Sequence, residues 1–266
     1  MKRTLVNRMN LYVKKSISAK LKLSDDGLRF ITLGSAYGSK TLFVDSNNPP
    51  INVLSAGVGE DISWDIELIH AFSSKVFLVD PTERAIQHYE QIRFRFGSSS
   101  NREYSQTGCQ NPESYDLSGI DIQRLIHIPK ALWWHSRRVS FFPPANPEHV
   151  SFSIRNIQSS STDPVKVDSI TISKIERSFK VKFDLVKLDI EGAALEVIVS
   201  LLLRLNFPNQ IIIEFEELIF PSMRNSIRAT LLVFLLKCAG YIPVFNESGI
   251  EVTYLRRRYI EFLLLK

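Results

Sequence analysis

The sequence predicts an α/β protein built on an open, mainly parallel sheet with helices on both faces. Strand-length apolar runs recur at INVLSA (51–56), KVFLV (75–79), FDLVKL (183–188) and QIIIEF (210–215), and acids end or closely follow each of them. Segments with helical spacing come after these runs, at 62–72, 83–95, from Gly192 to Leu205, and 223–239. Finally, Tyr241–Phe245 and Glu251–Leu255, joined by NESGI, read as an antiparallel hairpin. Alternating strands and helices place parallel strands side by side. Ligands of such sheets bind at the carboxyl ends of the strands, near the point where strand order reverses. The acids that end the strands, Asp80, Asp189, Glu191 and Glu214, are therefore expected around one crevice.

With 266 residues, 44% hydrophobic and 23% charged, the chain is long enough to bury a sizeable core in one domain. The formal charge of +5 is unevenly placed. Residues 1–22 hold seven bases and no acid, which leaves 26 bases against 28 acids in the rest, a net of −2. This basic start, interleaved with Leu5, Met9, Tyr12, Val13 and Ile17, fits an amphipathic surface helix, a targeting segment or a frayed terminus. The longest apolar runs, 229–236 and 198–203, fall far short of the roughly 20 residues a membrane span needs. Cys109 and Cys238 lie too far apart in sequence to suggest a ligand pair or a disulfide framework, so a reduced, cytoplasmic setting is expected.

Along the chain, Leu28–Leu33 and Thr41–Val44 flank the turn GSAYG and read as cover strands before the main sheet. Thr82 is placed to cap the helix that follows KVFLVDP. Residues 97–119 are polar with neither period, and together with the segment up to 149 they read as an insertion. It contains WWHSRR (133–138), strand-like runs at 139–142 and 150–154 flanking its end, and His127, His135 and His149. The division is then a basic segment with cover strands over 1–50, a domain over 51–256 with an insertion at about 97–149, and a tail over 257–266.

The stretch VLSAGVGED carries the binding expectation. Gly57 and Gly59 lack a Cβ and let the backbone approach a nucleotide-like ligand. A dinucleotide would set its pyrophosphate at the following helix N-terminus, where this chain offers Glu60 and Asp61 and no lysine. Those carboxylates repel phosphate, and they suit an adenosyl ligand with a sulfonium and an ammonium, S-adenosylmethionine. Asp80, about twenty residues after the glycines, sits where an acid accepts hydrogen bonds from ribose hydroxyls. The structural alternative is that Asp61 complements the helix dipole and Asp80 only ends a strand.

VLSAGVGEDISWD, VFLVDPTE, DLVKLDIEGAALEVI and IIIEFEE together resemble the FkbM-type methyltransferase family over about residues 50–256, and GEDISWD is similar to its methyltransferase-like eukaryotic branch. The resemblance implies a Rossmann-like class I methyltransferase fold, a mainly parallel seven-stranded sheet with a C-terminal antiparallel hairpin. It implies S-adenosylmethionine as cofactor, held at the positions of Ser55, Gly57, Gly59, Glu60, Asp61 and Asp80. The family's first motif usually opens with an acid and has a third glycine, where this chain has Ser55 and Asp61. Its fourth motif ends in Ala194 where an acid is common, so no role is carried to that position.

Methyl transfer to a hydroxyl needs positioning and a base. Asp189 or Glu214 is expected to orient or deprotonate the acceptor, a small molecule or a glycan. Asp189 and Glu191 form a DxE pair that could ligate Mg²⁺ or Ca²⁺, but no further ligand set is visible. A nucleic-acid partner is not expected, because no basic stripe continues from Arg256, Arg257 and Arg258. Two other classes stay open. One is a nicotinamide-dependent oxidoreductase, disfavoured by Glu60 and Asp61 and by the lack of a Tyr-xxx-Lys pair. The other is a binding module without turnover, kept open by Ser55.

Overall fold

The computed structural model describes residues 2–18, 28–45, 47–142, 164–190, 192–205, 207–246 and 248–264. Helix α1 (Lys2–Ile17) is followed by the hairpin β1 (Leu28–Leu33) and β2 (Lys40–Asp45). Then come β3 (Asn52–Ala56), α2 (Ser63–Phe72), β4 (Lys75–Val79), α3 (Glu83–Arg93), β5 (Leu125–Ile128), β6 (Ala131–Leu132), β7 (Arg138–Phe141) and β8 (Val165–Ile170). The rest of the chain forms α4 (Ile172–Phe179), β9 (Leu185–Leu188), α5 (Ala194–Arg204), β10 (Gln210–Glu214), α6 (Met223–Cys238), β11 (Tyr241–Phe245), β12 (Glu251–Arg256) and α7 (Arg257–Leu264). Thr82, Thr171 and Ser222 accept from Ala85 N, Lys174 N and Asn225 N, so α3, α4 and α6 all begin on a hydroxyl cap.

The central sheet has seven strands in the order β11-β12-β10-β9-β3-β4-β5. The five strands from β10 to β5 pair in parallel. β12 runs antiparallel to both β10 and β11, with a register shift between Pro243 and Phe245. Strand order reverses between β3 and β9, which is the switch point where a ligand crevice opens. Side chains alternate faces along each strand. Leu54, Phe77, Val186 and Ile211 pack with residues of α4, α5 and α6, and Val53, Val76, Leu185 and Ile212 pack with Trp64, Ile66 and Leu68 of α2 and Leu42 of β2. The same alternation puts Ser55, Lys187 and Glu214 on the α2 side, where the run of apolar residues stops at the carboxyl ends.

The first hairpin is bound to that side. Phe43 N donates to Gln210 Oε1 at 3.0 Å and Thr253 Oγ1 donates to Thr41 O at 2.6 Å. This fixes β2 over β10 and β12 and brings its first residue, Lys40, to the crevice. On the opposite side α1 lies along α6, with Val13 and Ile17 buried and the Asn10 side chain accepting from Ser226 Oγ at 2.6 Å.

Two boundaries differ from the sequence reading. Residues 125–128, placed inside the insertion, form β5, the edge strand of the main sheet, in register with Val76–Val79. The run is four residues long with a histidine inside it, too short to show a period. Residues 257–264, read as a tail, form α7, whose Ile260 is buried against Phe43 and Leu255. A strand over 165–170 was not foreseen, and it joins β6 and β7 in a small second sheet. The expected strand at 150–154 lies outside the described residues, as do Glu191 and His149.

Candidate active site

A cavity of about 520 Å³ opens at the carboxyl ends of β3, β4, β9 and β10. Its walls bring together Gly57, Gly59, Glu60, Asp61, Asp80, Asp189 and Glu214, seven of the eight residues expected from sequence. Ser55 is the exception and a correction. It is fully buried in β3, does not line the cavity, and faces α2 beside Asp65. The physical reason is depth: Ser55 shares its face with Lys187, its register partner on β9, but its short side chain ends under α2 while the Lys187 ammonium reaches the cavity. Burial pushes the Asp65 carboxyl up to about 6, against the charge of Lys187 and the Ser55 hydroxyl, which act to lower it.

The glycine loop is closed on itself. Gly57 and Gly59 take φ of 73° and 53°, and a Cβ at Gly57 would stand 1.7 Å from the carbonyl oxygen of Asp189. Glycine is required there by chain packing across the switch point. The amides of Val58 and Gly59 both donate to Asp80 Oδ2 at 3.0 Å, while Thr82 donates its amide at 2.9 Å and its hydroxyl at 2.7 Å to Oδ1. Asp80 thus fills about four acceptor sites with protein donors. His127 lies behind it, its Nε2 3.0 Å from Asp80 O, and burial holds its pKa below the ordinary histidine value. Its place is structural, at the end of β4.

Glu60 is held by Arg84 at 2.6 Å. Asp61 accepts from Ser35 Oγ at 2.6 Å and Gln110 Nε2 at 3.1 Å on Oδ2, and from Ser63 N at 3.0 Å on Oδ1. Both acids therefore shape the loop as well as its charge. The amides of Val58, Gly59 and Ser63 point at carboxylates, so the helix entry offers no cradle for pyrophosphate.

Across the cavity, five ionisable side chains converge from β2, β10, β12 and the end of β9. Lys40 Nζ lies 2.5 Å from Glu251, 3.3 Å from Asp189 and 3.5 Å from Glu214. Lys187 Nζ donates to Gly57 O at 3.1 Å and stands 3.9 Å from Asp189. Glu214 is pushed up to about 8 by the charge of Asp189 and by burial, so at neutral pH it keeps a proton. Burial works against ionisation of Asp189 as well, but Lys40 and Lys187 hold it below the usual carboxylate range. For Lys40 burial opposes the charge, and the three surrounding carboxylates more than offset it, raising its pKa above the ordinary lysine value.

Lys40 and Glu251 also line the cavity, and sequence reasoning missed them. The only signal for Lys40 was a lysine opening a strand that the chain would otherwise bury. The aromatic and basic cluster at 133–138 is not brought to the cavity. His135 rests on Trp134 with ring centroids 5.0 Å apart, and neither is on the wall, which is instead lined there by Ala131, Leu132 and Phe141. Among the described residues no group of histidines, cysteines and acids has metal-binding geometry, and no helix is long and apolar enough to cross a membrane.

Sheet order, a crevice at the switch point and a glycine loop between the first strand and helix define an α/β protein of the Rossmann-like type. The sequence profile described as the methyltransferase FkbM domain matches residues 44–242, and the chain belongs to that family. No curated protein matches the chain. Among solved structures, the crystal structure of monomeric WbdD is similar at 13% identity and a TM-score of 0.38, over 79% of this chain and 37% of that one. The chain thus spans little more than a third of that neighbour's length.

Proposed function

We propose that the protein is an S-adenosylmethionine-dependent methyltransferase acting on a neutral hydroxyl of a small-molecule or glycan acceptor. The observation that carries the reading is the cavity itself: an acid-rich wall, with its loop amides already engaged, at the switch point of an FkbM-family sheet. When bound, S-adenosylmethionine supplies an electrophilic methyl carbon whose bond to sulfur breaks with the electron pair leaving on sulfur. Asp61 contributes negative potential on one side of the cavity, where the Glu60 charge is met by Arg84, and Asp80 holds the loop that would support the adenosyl group. On the other side Asp189 and Glu214 meet the acceptor. Its oxygen bonds to the methyl carbon and its proton passes to a carboxylate of that pair, with Glu214 the stronger base once ionised.

An anionic acceptor is disfavoured by Asp189, Glu216 and Glu251 on the wall, and an amine would compete with Lys40 for Asp189 and Glu251. Ile219, Phe220 and Ile250 add an apolar flank beside the polar end. One observation favours a second reading, a binding module without turnover: the position of the family's first acid is Ser55, turned into the protein interior.

Calorimetry with S-adenosylmethionine, S-adenosylhomocysteine and NADH tests the ligand. Binding of both sulfur compounds and not NADH is expected, and failure to bind either would sink the proposal. A screen of hydroxyl acceptors with methyl-labelled donor then separates an enzyme from a binding module.

A further inference from the structure

The cation that completes the acid cluster comes from outside the segment that defines the family. Lys40 opens β2 and Glu251 opens β12, whereas the matched residues run from 44 to 242. The hairpin carrying Lys40 is fixed over β10 and β12 by backbone contacts from Phe43 and Thr41, so the ammonium is delivered by a rigid element.

The geometry points to Lys40 as the positioning residue that sets when the Asp189–Glu214 pair gives up its shared proton, and hence when Glu214 becomes a base toward the acceptor hydroxyl. This rests on the methyltransferase reading for its chemistry, though not for its electrostatics. Asp189 and Glu214 lie 3.3 Å and 3.5 Å from the same ammonium, and two carboxylates so placed do not both ionise easily without that cation. Glu214 faces Asp189 from the end of β9, Lys40 from β2 and Glu251 from β12. Lys40 is within 3.5 Å of both members of the pair, while Lys187 is 3.9 Å from Asp189 alone. The proton therefore settles on Glu214, the acid with fewer cations, and Lys40 is the cation whose removal both acids feel. The upward displacement of Glu214 to about 8 agrees with this placement.

The test is a carboxyl ¹³C titration of Glu214 in the full chain, in the native sequence and in Lys40→Met and Lys40→Arg, without added ligand. A midpoint near 8 is expected for the native chain. Lys40→Met should raise it by roughly one unit or more, and Lys40→Arg should restore it to within a few tenths. A midpoint unmoved in Lys40→Met, or a native midpoint in the ordinary carboxylate range, overturns the assignment. Should Lys40→Met not fold, Glu251→Gln gives the opposite sign: with one negative neighbour gone and Lys40 released to the pair, the midpoint falls, and a rise or no change overturns it. Labelled-methyl transfer is followed in parallel across pH. Transfer that tracks the Glu214 midpoint through the variants supports both readings. A titration that behaves as expected in a chain that transfers no methyl retains Lys40 and removes the proposed function. Active protein with an unmoved midpoint removes Lys40 alone.

Discussion

Gly57 shows how a single residue couples the loop to the switch point. Its φ of 73° costs a side chain about 1–2 kcal/mol, and the Cβ of an alanine would stand 1.7 Å from the Asp189 carbonyl oxygen. Gly57→Ala must push the ends of β3 and β9 apart, and a stability loss on the order of 3 kcal/mol or more is expected in urea melts. A loss under about 1 kcal/mol would mean that the two strands do not meet this closely. Asp80 poses a different question, because its carboxylate is filled by Val58, Gly59 and Thr82. In Asp80→Asn the amide group must face donors at one oxygen position, which costs about 1.5–3 kcal/mol for a charged hydrogen bond lost. Stability and S-adenosylmethionine affinity should therefore fall together, affinity by roughly tenfold. If affinity falls while the melting temperature stays, Asp80 contacts the ligand directly and the loop-holding role is secondary.

At the scale of elements, α6 clamps the two turns that follow β9 and β10. Arg228 makes paired 2.8 Å bonds to Glu196, donates to Gly192 O at 2.6 Å, and places Nε 3.6 Å from Glu217. The side chain is buried, so Arg228→Leu removes a guanidinium from between two carboxylates that stay in the interior. The expected cost is about 3–5 kcal/mol, seen as a drop on the order of 10 °C in thermal melts. Arg228→Lys should lose less, retaining the charge without the paired geometry, and equal losses for both variants would contradict the charge argument. The elements around this clamp were largely legible in the sequence. β3, β4, β9 and β10 are covered on both faces and so read as mainly apolar runs, interrupted only near their ends or by residues such as Ser55 and Lys187, and Thr82 announced α3. β5 was not legible, because LIHI is short and lies at the sheet edge with two half-buried side chains. Lys40 was hidden for a deeper reason: a lysine before TLFV reads as solvated until the hairpin is folded onto β10 and three distant carboxylates surround it. The acids of the site were visible from their places at strand ends, but whether each holds the loop or faces the cavity depended on tertiary contacts.

For the whole molecule, the buried charges set a pH window. Glu214 and Asp65 titrate in the folded chain at about 8 and about 6, above their ordinary values. The folded state therefore holds protons that the unfolded state gives up, and stability from these groups falls as pH rises from the ordinary carboxylate range through those values. Asp189 works in the opposite sense, its contribution being lost as pH drops through its depressed pKa. Burial holds His88 down to about 4, so the unfolded chain takes up its proton first and stability is lost below roughly pH 6.5. Between about pH 4.5 and 6 the two raised carboxylates outweigh His88, and above about 6.5 Glu214 acts without it, so together these groups place the maximum below about pH 5, with a decline toward 8.5. General charge repulsion predicts the reverse, because the net positive charge shrinks as pH approaches the isoelectric point of about 9.1. Melting temperatures between pH 5 and 9 at constant ionic strength separate the two. A melting temperature that falls from pH 5 to 8.5, with an upper limb that flattens in Glu214→Gln, is the expected outcome. A melting temperature that climbs steadily to pH 8.5, or a limb unchanged by Glu214→Gln, would show that the carboxylate pair does not retain its proton in the folded protein.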